Sequence, residues 1–130
     1  MKHVVAGLLV LLFIGGAAYA AEPARVSMVE LIATPERFNG QRVVVVGFAH
    51  LEFEGNALFL HKEDYDNGIT KNSLRLSVPR NGAEAWEALS GGYVRIEARF
   101  KWDERLRSDL FSGFLTEITR FERWPPEKGQ

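Results

Sequence analysis

Apolar positions along the chain fall into three kinds of run: one unbroken N-terminal block, short helical stripes, and a series of period-two alternations. The block comes first. Lys2 and His3 lead into an apolar stretch over residues 4–14, and Ala18-Tyr19-Ala20 supplies the small-x-small pattern of a signal-peptidase site. From residue 4 to residue 20 the segment has 17 residues, short of the about 20 that a membrane-spanning helix needs. The pattern predicts a signal peptide over residues 1–20, with an uncleaved N-terminal anchor as the alternative. Either route takes the rest of the chain out of the cytoplasm and makes it periplasmic or secreted.

Beyond a short leader (21–26), Ser27-Met28-Val29-Glu30 fits a capping box and predicts a helix over 28–33. Thr34 precedes Pro35, which biases it away from helical geometry and stops the helix. Residues 35–38 form one further turn, closed by Asn39-Gly40. A long alternation over 41–54 predicts a strand with Val43, Val45, Gly47, Ala49, Leu51 and Phe53 on one face. Its other face is apolar at the start and polar at the end. Gly47 falls where such a strand has to bend or bulge.

Gly55-Asn56 reads as a two-residue hairpin turn, followed by a second strand over 57–61 and a polar loop over 62–72, with one helical turn as the alternative within it. Leu74, Leu76 and Val78 mark a third strand, ended by Pro79. Asn81 and Glu84 then open a helix with Trp86 and Leu89 on its buried stripe, and Gly91-Gly92 ends it. A fourth strand over 93–102 alternates cleanly, and a charged hairpin loop occupies 103–109. The fifth strand, 110–121, has no settled phase across Gly113, and 122–130 is a tail. No repeat or low-complexity tract interrupts 27–121, which reads as one domain.

Three strands, a helix and two strands, the first strand long and interrupted by glycine, resemble the OB-fold, a five-stranded Greek-key barrel. The expected class is therefore all-β with accessory helices, in the order β-β-β-α-β-β after a short N-terminal helix. The stretch LEFEGNALFLHKEDYDNG, residues 51–68, also resembles small exported bacterial proteins of the tRNA-anti-like OB group. That group carries no single assigned chemistry. OB-folds often bind ligands across strands two and three, so the resemblance implies a binding module.

Charge and composition narrow the partners. Loss of Lys2 with the signal segment leaves 15 basic against 17 acidic residues, a net charge of −2. Nucleic-acid binding is not expected at that balance. The chain has no cysteine, which removes disulfides, thiolate chemistry and sulfur-ligated zinc. Arg95, Arg99, Lys101, Arg105 and Arg107 form the one basic cluster, interleaved with Glu97, Asp103, Glu104 and Asp109.

Turn arithmetic supplies the candidate site. A two-residue Gly55-Asn56 loop makes paired positions sum to 111, which sets His50 opposite His61 and Glu52 opposite Phe59. The expected ligand-binding face is then His50, Glu52, Phe59, His61 and Arg75. As an alternative, His50, His61 and Glu52 would hold a divalent metal such as zinc or copper. Glu63, Asp64 and Asp66 crowd a loop that misses the EF-hand pattern at its fifth and twelfth places. Glu52 and Glu54 are spaced like glycosidase carboxylates, yet G-x-S-x-G, H-E-x-x-H and phosphate-binding glycine loops are all missing from the sequence. The sequence thus favours a non-catalytic exported module without a cofactor, whose partner is an envelope protein or a small ligand. A metal-binding protein and an envelope enzyme stand behind it.

Overall fold

Two strands with strict alternation carry the core of the structure, a computed structural model that describes residues 22–52, 55–106 and 110–129. The signal peptide expected over residues 1–20, and the calls on Phe53, Glu54 and Arg107, lie outside the described residues. Strand β2 (Arg42–His50) turns Val43, Val45 and Ala49 inward, and β5 (Gly92–Lys101) turns Val94, Ile96, Ala98 and Phe100 inward. All seven are essentially inaccessible to solvent. The five larger side chains, Val43, Val45, Val94, Ile96 and Phe100, each contribute roughly 1.5–3 kcal/mol. The two strands pair antiparallel from Arg42↔Arg99 to Ala49↔Gly92.

The remaining strands complete a circuit. β3 (Ala57–Phe59) pairs antiparallel with β2, and β4 (Ser73–Leu76) antiparallel with β3. β6 (Phe114–Arg123) pairs antiparallel with β5 and parallel with β4, at Arg75↔Phe114 and Leu76↔Leu115. The result is a closed five-stranded mixed β-barrel, compatible with an OB-like fold. A two-residue strand, β1 (Ala24–Arg25), adds parallel to β2 at Val43 and Val44, outside the circuit.

At one end sits α1 (Met28–Ala33), capped as its sequence requires. Ser27 Oγ accepts from the Glu30 N–H, and Glu30 Oε2 accepts from the Ser27 N–H at 2.9 Å. Met28 and Leu31 from this helix, and Phe38 from α2 (Pro35–Phe38), join the barrel core.

Several details differ from the sequence-based expectation or sharpen it. The Gly55-Asn56 hairpin does not form: β2 and β3 are joined by residues 51–56, and pairs run Phe48↔Phe59, Ala49↔Leu58, His50↔Ala57. Asn56 Oδ1 accepts from the Glu52 N–H, and Gly55 N–H donates to Glu52 O, so the chain turns earlier than a two-residue loop would. The slip of four residues is even, so each side chain keeps its face while its partner changes. His50 therefore stands opposite Ala57 and not His61.

The polar stretch 62–72 holds α3 (Lys62–Asp66) and a 3-10 turn (Thr70–Asn72). The helix before β5 shrinks to one turn, α4 (Glu84–Glu87), with Ala83 at its N-cap and no side-chain cap bond. Its Trp86 still reaches the core edge, stacked on Phe121 with ring centroids 5.1 Å apart.

β6 begins at Phe114 and runs to Arg123. Its phase is broken by an irregularity in which β5 advances from Glu97 to Arg99 while β6 passes from Arg120 to Thr116. Glu117 adopts φ 48° there, a left-handed conformation that relieves the two extra residues.

Gly47 carries a packing constraint. A Cβ at that position would lie 2.7 Å from both Leu58 Cγ and the Phe59 carbonyl oxygen, so β3 sits tightly against it. Gly47→Ala is expected to lower stability by about 1–3 kcal/mol, read as a reduced urea midpoint. An unchanged midpoint would contradict the close approach.

Candidate functional site

In an antiparallel barrel the outward positions of a strand are ordinarily polar. On β2 they are Arg42, Val44, Val46, Phe48 and His50. Phe48 is covered: Tyr65 of α3 lies over it at 5.9 Å between centroids, over Phe59 at 5.4 Å, and stacks on the His50 ring at 4.1 Å. Phe48 and Phe59 are buried in this second cluster outside the barrel. Val44 and Val46 lie beyond the reach of α3 and stay half-buried.

These two valines form the floor of a groove of about 590 Å³. The segment Arg25–Met28 makes one wall, Leu60 and His61 close one end, and Tyr93, Arg95, Arg120 and Trp124 make the other wall. Strand register explains the grouping. Val46 pairs with Arg95, which pairs with Glu122; Val44 pairs with Glu97, which pairs with Arg120. Directly opposed side chains have Cβ atoms about 4.5–5.5 Å apart, so the valine floor meets the arginine wall within single rows of the sheet. Trp124 is tied in by its N–H, which donates to Tyr93 O at 2.9 Å.

The charged wall is partly self-compensated. Arg95 Nη2 donates to Glu122 Oε2 at 2.7 Å, and Arg120 Nε lies 3.2 Å from Glu122 Oε1. Arg95 also places its guanidinium carbon 5.3 Å from the Trp124 ring centroid, within cation–π range. Its Nε is buried without a hydrogen-bond partner. The residues lining the groove include three arginines and no carboxylate, since Glu122 stands behind the two arginines it joins.

The residues singled out from the sequence are distributed over several places. His61 borders the groove. His50 is on the covered side of α3, with Nε2 3.2 Å from Tyr65 Oη and 3.3 Å from Glu52 Oε2. Phe59 is buried under Tyr65. Glu52 and Arg75 line a second, larger depression of about 880 Å³ with Arg80 and Glu87, a mixed-charge and more polar setting. The expected single face of His50, Glu52, Phe59, His61 and Arg75 is therefore split.

The metal set is not assembled either. Continuing the observed register would put His61 opposite Val46, four residues or about 13 Å along β2 from His50. Among the described residues no group of three His, Asp or Glu side chains is gathered to hold an ion. Two carboxylates of 62–72 have structural duties: Asp64, nearly buried, accepts from the His61 N–H and from Asn72 Nδ2, and Asp66 pairs with Lys62 at 2.6 Å. Arg99 and Arg105 of the basic cluster pair with Glu117 and Asp103.

Among the described residues no helix is long and apolar enough to cross a membrane. The chain matches no protein-family model, no curated protein and no solved structure. What the coordinates define is thus a class: a closed five-stranded barrel with an apolar, arginine-rimmed groove on its outer wall.

The hydrogen bond from Arg95 holds the Glu122 carboxyl below the usual glutamate range, aided by the charges of Arg120 and Arg95 and opposed by desolvation. A depressed folded-state value means that the unfolded chain takes up the proton first as pH falls. The contribution to stability is full above the ordinary glutamate value and is lost as pH drops through the folded one. Glu122→Gln should therefore lower the neutral-pH urea midpoint slightly and weaken its dependence on acid pH. An identical acid limb in wild type and variant would contradict the pairing.

Proposed function

We propose that this protein is a small, exported, non-catalytic binding module that holds its ligand in the groove on the outer wall of β2. One observation carries the reading: Val44 and Val46 are outward aliphatic residues left half-open beside a cover that fully buries Phe48 in the same row. Exposed contiguous apolar surface on a small domain marks interaction sites, and concave apolar lining with a few polar groups is the usual form of a ligand pocket. Export is supported by the sequence of residues 1–20.

Two measurements test the reading. Intact-mass analysis of protein recovered from the envelope of an expressing cell is expected to give a chain starting at Ala21; retention of residues 1–20 would indicate an anchor. Titration with the neutral solvatochromic dye Nile red is expected to show saturable binding at one dye per chain. Val46→Glu should abolish that binding and Arg80→Gln, in the other depression, should leave it intact. Non-saturable binding, or binding equal in both variants, would overturn the groove assignment.

A further inference from the structure

Among the described residues, Arg95 carries a buried side-chain donor left without an acceptor. A guanidinium offers five N–H donors in a planar fork suited to two carboxylate oxygens. Here Nη2 is taken by Glu122, while Nε, the other donor on the same side-on edge, is buried with no acceptor. Glu122 has a second arginine available, because Arg120 Nε already lies 3.2 Å from its other oxygen. A carboxylate that displaced Glu122 from Nη2 would gain the Nε donor as well, with Glu122 still held by Arg120.

The position of Arg95 determines what the rest of that anion looks like. It is the direct cross-strand neighbour of Val46, and the Trp124 ring lies against its guanidinium. A head group on Arg95 therefore has its body beside Val46 and Val44, in a groove whose other side is made by Val26 and Met28. Arg25 at that wall adds a further positive charge with no lining carboxylate to offset it.

Strand addition by a peptide does not suit the same place. The free stretch of the β2 edge between its β1 and β3 partners is only residues 45–47. Gly47 is already approached by Leu58 and the Phe59 carbonyl, which crowds one end of that stretch.

We propose that the groove takes a single-chain organic carboxylate, its head on Arg95 and its apolar tail along Val46 and Val44. This rests on the groove being the ligand site and adds the ligand's charge and shape. The test is calorimetric titration of the exported chain with decanoate, below micelle-forming concentration, beside decanol and decyltrimethylammonium of matched length. Decanoate is expected to bind at least about tenfold more tightly than either, the scale of one charge-assisted contact. Arg95→Gln should erase that preference while keeping decanol binding. Val46→Glu should remove binding of decanoate and decanol, and the near-isosteric Val46→Thr, which retains the strand, should weaken both together.

Equal affinity for decanoate and decanol, or a preference for the cation, would overturn the carboxylate assignment and leave the groove as a site for another ligand. Decanoate affinity unchanged in both folded Val46 variants would overturn the groove itself. Sedimentation with phosphatidylglycerol vesicles without any decanoate binding would overturn the proposal in favour of a membrane surface.

Discussion

The close approach of β3 to β2 at Gly47 is the constraint on which the outer wall of this barrel depends. With no side chain at that position, Leu58 and the Phe59 carbonyl come within 2.7 Å of where a Cβ would stand. β2 can then give one whole edge to β5 and divide the other between β1 and β3. The division has a consequence for cover. On the β3 side, α3 follows at once and lays Tyr65 over Phe48, Phe59 and His50; on the β1 side, among the described residues, the short segment Arg25–Met28 approaches. One outward apolar row is thus closed at one end and open at the other.

Electrostatics finish what the packing begins. β5 and β6 place Arg95, Glu122, Glu97 and Arg120 in two adjoining cross-strand pairs. The ion pairs of Arg95 and Arg120 with Glu122 hold these side chains on an exposed sheet, although half-exposed ion pairs of this kind contribute little to stability. Their value lies in position. A guanidinium held against Trp124 and beside Val46 gives the groove a polar end and an apolar floor, which is what an amphipathic ligand requires.

Much of this architecture can be read from the residues alone, where local chemistry and period agree. The capping box at Ser27 and Glu30, the stop at Thr34-Pro35, and the alternations of β2 and β5 each have one physical solution. Elsewhere a competing interaction intervened. The Asn56 side chain bonds the Glu52 backbone, which lengthens the hairpin loop and moves His50 away from His61. Leu115, Ile118 and Phe121 recur every third residue because the irregularity at Glu117 interrupts the strand, so no period-two phase exists to be found. Asp64, one of the carboxylates of the loop that misses the EF-hand pattern, organises that loop by accepting from the His61 N–H and Asn72 Nδ2. The groove did leave a trace in the sequence: Val44 and Val46 are apolar at positions that face outward. That signal is only decisive once the limit of α3 is known, and the pairing that sets Arg95 beside Val46 is a tertiary fact.

A heteronuclear NMR titration of the isotope-labelled chain with decanoate tests the central claim most directly. If the outer wall of β2 is the ligand site, the largest shifts will fall on the amides of Val44, Val46 and Arg95 and on the Trp124 indole N–H. The amides of Glu52, Arg75 and Arg80 will stay in place. Shifts centred on that second group, with Val46 and Trp124 unmoved, would contradict the account.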